Sequence, residues 1–189
     1  MASKRVLVCI TGASGAIYGV RLLRSLKRLG HEVHIIVSRW GAVTLAREAD
    51  TEPAVLTREA DAVYDENDLS AGPASGSFRL DSMAIVPCSM KTLASVAHGL
   101  ADNLISRAAD CCLKERRRLV LVPRESPYSI VHLRNMLLAS RAGAIILPAS
   151  PPFWSRPKTV DDLVDGLVDR MLVHLGVTQN TELEWTPEE

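Results

Sequence analysis

The residues best suited to chemistry open the chain. Residues 6–19 run as an apolar strand pattern that breaks into Thr11-Gly-Ala-Ser-Gly15 and then becomes helical. Glycines in such a turn let the backbone approach an anion closely, and the following helix turns its free N–H groups and positive dipole end toward it. The segment predicts a nucleotide or flavin phosphate at the first strand-to-helix turn, with the Ser14 hydroxyl placed to meet the ligand. A tight turn with no ligand explains the same residues. Only two of the three glycines of the dinucleotide fingerprint can be placed, which disfavours NAD. Comparable polar or turn chemistry closes four further apolar runs: Ser38-Arg-Trp40, Pro87-Cys-Ser-Met-Lys-Thr92, Pro123-Arg-Glu-Ser-Pro127 and Pro148-Ala-Ser-Pro-Pro-Phe-Trp154.

Five such segments act together only if a scaffold gathers them. Short apolar runs at 5–10, 32–37, 83–86, 119–122 and 144–147 read as buried parallel strands, and helical periodicity marks 17–29, 40–48, 91–97, 104–116, 130–139 and 160–175. This alternation predicts an α/β fold, a doubly wound, mostly parallel sheet of Rossmann or flavodoxin-like type, whose ligands sit beyond the carboxyl ends of the strands. Residues 64–77, rich in Asp, Ser, Gly and Pro, form the one long irregular stretch and are expected to act as a lid or a subunit contact. At 189 residues and 47% apolar content the chain suits one domain, with a core over 1–176 and a tail over 177–189.

Composition excludes several classes of partner. Twenty-two basic and twenty-two acidic residues balance without a long single-sign block, so neither nucleic acid nor a membrane surface has an electrostatic footprint. The four cysteines make neither a disulfide framework nor a zinc spacing, which suggests reducing cytosol and a cytoplasmic protein. Met1-Ala-Ser-Lys-Arg5 leads straight into the first strand without an apolar signal core, and no run reaches membrane-span length.

Gly12-Ala-Ser-Gly-Ala-Ile-Tyr-Gly19, Ala74-Ser-Gly-Ser77, residues 87–94, residues 102–116, Leu121-Val-Pro-Arg-Glu125, His132-Leu-Arg-Asn-Met136 and residues 148–157 together resemble the UbiX/Pad1 family of flavin prenyltransferases over nearly the whole chain. The wording Ser75-Gly-Ser-Phe-Arg79 is similar to a Pad1-like branch associated with aromatic-acid decarboxylation. The resemblance implies an enzyme that binds reduced FMN and joins a dimethylallyl group from dimethylallyl phosphate to flavin N5 and C6. The product, prenylated FMN, would serve a UbiD-type decarboxylase. It also implies a homododecamer in which several subunits build one site.

Carried over by motif, Gly12, Ala13, Ser14 and Ser38 would hold FMN, with Ser89, Met90, Lys91, Thr92 and Arg124 adding contacts. For Ser38 and Ser89, helix N-capping explains the residue type equally and is compatible with ligand contact. Arg107, Lys114, Arg124 and Arg170 match the family's phosphate-contacting positions. Such cations can receive the charge of a departing phosphate without a divalent metal. Ala74, Ser75, Gly76 and Trp154 complete the implied donor-binding set. Arg107, Lys114 and Arg118 fall on one basic helix by this reading, and Arg116 to Arg118 read as a solvated face. Glu48 aligns with the family's active-site glutamate, and Glu125 follows Arg124 directly. One carboxylate would take the proton leaving the flavin ring, while the other hands a proton to phosphate or orients Ser14, and the residues leave open which does which.

Asp161-Asp-Leu-Val-Asp165 spells the pattern with which helical isoprenoid synthases bind magnesium. Here it opens the last helix, where Thr159 as N-cap and Asp162 three residues on read as a capping box, so no metal role is assigned. Trp154 stands where the family usually has a tyrosine, which opens the choice between a mono- and a diphosphate donor. Two other classes share the pattern: an FMN-dependent cysteine decarboxylase and a non-catalytic flavin carrier or decarboxylase accessory subunit. The first calls for an active-site histidine and a Pro-Ala-Ser-Ala-Asn-Thr motif. This chain has Pro87-Cys-Ser-Met-Lys-Thr92, and its histidines His31, His34, His98, His132 and His174 show no acid/base partner in the sequence.

Overall fold

Side chains alternate across a strand, so a sheet that is apolar at every position must be covered on both faces. The strands here meet that condition. A computed structural model describes residues 2–49 and 51–177 of the chain. In chain order it contains β1 (Arg5–Ile10), α1 (Ala16–Arg28), β2 (Glu32–Val37), α2 (Arg39–Glu48), α3 (Pro53–Glu59), β3 (Ala62–Tyr64), β4 (Ser82–Cys88), α4 (Met90–His98), α5 (Leu104–Lys114), β5 (Arg118–Pro123), α6 (Ile130–Arg141), β6 (Ile145–Ile146) and α7 (Val160–Leu175).

The six strands form one all-parallel sheet in the order β3-β2-β1-β4-β5-β6. Of the two common doubly wound orders this is the Rossmann one, and its direction reverses between β1 and β4. Val6, Val8 and Ile10 of β1 join Val33, Ile35, Ala84 and Val120 on the face covered by α1 and α7. Leu7 and Cys9 join Ile36, Met83, Ile85 and Leu121 on the face covered by α4 and α5. Each strand residue thus feeds one of two cores, and slipping a strand by one position would exchange them.

The differences from the sequence pattern fall at short elements and at the ends of longer ones, β4 for instance running over Ser82–Cys88 rather than 83–86. The pattern missed α3 and β3, because a seven-residue helix and a three-residue edge strand are too short for a period to register. α5 stops at Lys114 rather than 116, since Arg116 takes a left-handed φ of 55°. Arg118 therefore begins β5 instead of continuing a basic helix. The expected strand 144–147 is reduced to Ile145–Ile146 at the sheet edge, and α6 runs two residues beyond its expected end at 139. Residues 65–80 are irregular apart from a 3-10 turn at Gly72–Ala74. Of the expected tail, everything from Thr178 on lies outside the described residues. Among the described residues no helix is long and apolar enough to cross a membrane.

Candidate active site

The site begins where β1 and β4 separate. Thr11 ties the two strand ends together: its hydroxyl donates to the Pro87 carbonyl at 2.7 Å and accepts the Ser89 N–H at 2.8 Å. The turn that follows needs a left-handed residue, and Gly15 supplies it at φ 102°, where a Cβ would press on the Tyr18 ring at 3.0 Å. Gly12 is required for a different reason. A Cβ there would collide with the Cβ of Trp40, so the turn packs directly on the first turn of α2.

Both helices that leave the neighbouring strand ends are capped by serine. Ser38 accepts the Gly41 N–H at 3.0 Å, and Ser89 accepts the Thr92 N–H at 3.3 Å. The two caps line one cavity of about 320 Å³ together with Gly12, Arg39, Lys91 and Thr92. N-capping and cavity lining are therefore both present at these serines. Lys91 also pairs with Asp102 at 3.3 Å across an exposed edge.

Glu48 sits differently from a free helix-end carboxylate. From the end of α2 it reaches back to the first turn of α1, where its Oε2 accepts the Gly15 N–H at 2.7 Å and the Ala16 N–H at 3.4 Å. The anion position expected for a phosphate at this turn is thus held by the protein's own carboxylate, and the amides of Gly15 and Ala16 are engaged. Glu66, which no motif marks, does the same for α2 by accepting the Arg39 N–H at 2.6 Å. It belongs to the irregular 65–80 stretch, and only the structure brings it to the cavity rim.

A second group forms where the 65–80 loop meets α5. Arg107 donates through Nε to the Ala74 carbonyl at 3.0 Å and pairs with Asp110 at 2.7 Å, while Cys111 donates to the same carbonyl at 3.2 Å. A Cβ on Gly76 would run into Lys114 and Glu115, which fixes that glycine by close approach. Ala74, Gly76, Arg107 and Lys114 come together here, apart from Arg124, Trp154 and Arg170, with Ser75 exposed between them and bonded to Ser77 at 2.8 Å. The solvated-face reading of residues 116–118 fails at Arg117, whose guanidinium donates to the carbonyls of Phe78 at 2.7 Å and Gly76 at 2.5 Å.

The third group pairs Trp154 with Arg170 across a cavity of about 300 Å³ whose walls are Ile146, Leu147, Pro148 and Leu167. An apolar chamber with one guanidinium suits a short hydrocarbon bearing an anion. Arg124 and Glu125 are exposed beyond β5, where Glu125 accepts the Ser126 N–H at 2.9 Å. Burial raises the Tyr18 hydroxyl above its ordinary value, and the nearby Arg124 charge partly offsets this. Ser14 lies half-buried and Ala13 buried in the turn, with Met90 half-buried at the start of α4.

The acidic run at 161–165 is structural. Asp162 accepts the Lys158 and Thr159 N–H groups at 2.8 and 3.0 Å, and Thr159 accepts the Asp162 N–H at 3.1 Å. The capping box is formed, and those backbone donors hold the Asp162 carboxyl below its ordinary value. Asp161 and Asp165 are spanned by Arg21, at 2.5 and 2.6 Å. The histidines are less inert than their spacing suggested. His34 has Glu32 on one ring nitrogen and the Tyr64 hydroxyl on the other, both at 2.9 Å.

Comparison with known proteins accords with this architecture. Residues 1–172 match the Flavoprotein family. The chain is 47% identical over 182 residues, 96% of its length and 75% of the relative's, to the mitochondrial flavin prenyltransferase PAD1 of Saccharomyces cerevisiae. Among solved structures, AnUbiX (PadA1), in complex with FMN and dimethylallyl pyrophosphate, is 46% identical at a TM-score of 0.92 over 100% of both chains. A dodecameric FMN-dependent Ubix-like decarboxylase from Escherichia coli O157:H7 is 43% identical at 0.93, covering 97% of this chain and 100% of its own. With a Rossmann-ordered sheet, serine-capped helices at its switch point and near full-length identity to these proteins, the chain belongs to the UbiX/PAD1 family of flavin prenyltransferases.

Proposed function

We propose that the chain joins a dimethylallyl group from dimethylallyl phosphate to N5 and C6 of reduced FMN, and that the prenylated FMN serves a UbiD-type decarboxylase. The observation that carries this reading is 47% identity with a flavin prenyltransferase over 96% of the chain. The residues at the sheet switch point fit FMN: the cavity there offers serine and threonine hydroxyls, a capped helix N-terminus and two cations, the donor set a phosphate needs. Because Glu48 already holds the Gly15 and Ala16 amides, the phosphate is assigned to Ser38, Ser89 and Thr92 with the Met90 and Lys91 backbone. Gly12 walls the same cavity, Ala13 and Ser14 follow it in the turn and are assigned to FMN with it, and Arg124 is assigned to the flavin's polar edge.

Reduced flavin supplies the electron-rich ring atoms that receive the allyl carbon. The chain's own part is to bind the donor, take the departing charge and move protons. The Trp154–Arg170 chamber suits the donor: apolar walls keep water from the allylic carbon while a guanidinium meets phosphate oxygens. Arg107 and Lys114 add positive charge beside the Ala74–Gly76 backbone. The Trp154 indole N–H donates one hydrogen bond in a direction unlike a tyrosine hydroxyl, so donor choice between mono- and diphosphate is assigned to this residue. Glu48, whose carboxylate accepts the N–H of Gly15 next to Ser14, is assigned the proton leaving the ring, and Glu125 the proton delivered to phosphate.

Within one chain the 65–80 loop links the first two groups, the Glu66 carbonyl at the cavity rim accepting the Leu104 N–H at the start of α5 at 2.7 Å, while the Trp154–Arg170 chamber is lined from β6, α7 and the segment between them. A homododecamer that joins the groups across subunits is supported by the dodecameric relative and by the apolar side chains that α6 exposes, Ile130, Val131, Leu133 and Leu137. Residues 1–176 are proposed to act as one flavoprotein domain, which the single sheet supports. A cytoplasmic setting accords with four free, buried cysteines. Incubating the protein with reduced FMN and dimethylallyl phosphate and weighing the released flavin tests the whole reading: one added five-carbon unit is expected, and unmodified flavin refutes it.

A further inference from the structure

His34 lies away from every residue assigned above, is 4% exposed, and touches both stems of the 65–80 loop. On the entry side its ring meets the Tyr64 hydroxyl at 2.9 Å, with ring centroids 5.6 Å apart. On the exit side the Phe78 ring lies 5.7 Å away, and Arg5 stacks over that ring at 5.2 Å. Arg5 in turn pairs with Glu32 at 2.8 Å, and Glu32 holds the second nitrogen of His34. Strand β2 thus carries a buried imidazole that joins the two ends of a loop otherwise short of regular structure. Between those ends the loop presents Ala74 and Gly76 to Arg107, Cys111 and Lys114.

We propose that His34 is a positioning residue: by bridging Tyr64 and Phe78 it fixes the 65–80 loop so that the Ala74–Gly76 backbone and the α5 cations form the donor-phosphate arm of the site. The donor assignment rests on the function proposed above, whereas the clamp itself rests on geometry alone. The charged or titratable groups facing the ring are Glu32 on its own strand, Arg5 on β1, Asp61 before β3 and Tyr64 on β3. A neutral ring donates to Glu32 and accepts from Tyr64. A doubly protonated ring donates to both, with the Tyr64 oxygen accepting. The bridge therefore persists in either state, and the clamp works without being a pH switch.

Tyr64→Phe removes the hydroxyl and keeps the ring, so it cuts one stem with little risk to the fold. In the flavin-loaded protein, amide exchange over residues 71–78 should accelerate by roughly three- to tenfold, the worth of one net hydrogen bond. KM for dimethylallyl phosphate should rise by a similar factor, with kcat within about twofold and FMN affinity unchanged. Unchanged exchange over 71–78 would overturn the clamp, and so would FMN affinity falling in step with KM, which signals general loosening. If the wild-type protein makes no prenylated flavin, faster exchange in the variant still upholds the clamp while the proposed function fails.

Discussion

Glu48 shows how little a residue's neighbours in sequence reveal of its work. At the end of a helix a glutamate is ordinarily solvated, yet here its carboxylate crosses to the turn that bears Ser14 and accepts two backbone N–H groups. Glu48→Gln keeps an oxygen for those amides and removes the base. FMN binding should survive in a flavin titration while formation of prenylated FMN falls by roughly 10²-fold or more, the scale of a lost general acid or base. Full turnover would return Glu48 to a purely capping role. Ser82 presents the opposite case. Its hydroxyl is fully buried in β4 and, among the described residues, has no hydrogen-bond partner. Ser82→Ala should raise stability by about 1 kcal/mol, since an unsatisfied buried hydroxyl costs roughly 1–3 kcal/mol, and a urea midpoint reads it. Burial pushes the Cys88 and Cys112 thiols up to about 12, far from a thiolate at neutral pH.

At the scale of elements, α7 decides between metal and mortar. Its first turn is built by the Thr159–Asp162 box, and Arg21 of α1 spans Asp161 and Asp165, so the acidic run joins two helices of one layer. Replacing all three aspartates by asparagine should lower the thermal midpoint by several degrees. Caps are worth about 1 kcal/mol and exposed ion pairs less, so the fold survives. Prenyl transfer should continue in that variant and in the presence of EDTA; strict magnesium dependence with dimethylallyl phosphate would show that the carboxylates do more. The capping box was legible because Thr159 and Asp162 lie three residues apart. Arg21 was not, because it pairs across 140 and 144 positions of chain. The same distinction runs through the site. Gly15 and the serine caps are local turn chemistry and could be read directly, whereas the packing of Gly12 on Trp40, Glu66, the Arg117 carbonyl contacts and the partners of His34 depend on the tertiary fold.

For the molecule as a whole, a doubly wound parallel sheet was foreseen, whereas its strand order and its edges were not, since the central runs 5–10 and 32–37 carry full apolar patterns while Ala62–Tyr64 and Ile145–Ile146 do not. Surface charge sets its response to acid. Glu32, Glu59 and Asp61 are each held below their ordinary values, by His34 and Arg5, by Arg24, and by Lys27 respectively. A depressed carboxylate contributes stability above its unfolded value, near 4, and loses it as pH falls through its folded value. All three are partly exposed, so solvent screening keeps each contribution small. The thermal midpoint should therefore be level between about pH 6 and 7 and decline below about pH 4.5, less steeply without Arg24 and Lys27. A decline beginning near neutrality would point to a group other than these carboxylates.

The reversal of winding between β1 and β4 has a consequence for chain continuity. Only residues 65–81 carry the polypeptide from the edge strand β3 back to the middle of the sheet, so a single cut there would leave two fragments. One would hold β1, β2 and β3, the other β4, β5 and β6, and the seam between them would run through the Thr11 tether and the cavity that both fragments wall. With flavin in that cavity, as proposed above, the ligand could bind only where the two pieces meet. Separately expressed halves should reassemble in proportion to added FMN, with the ligand acting as the adhesive of its own receptor.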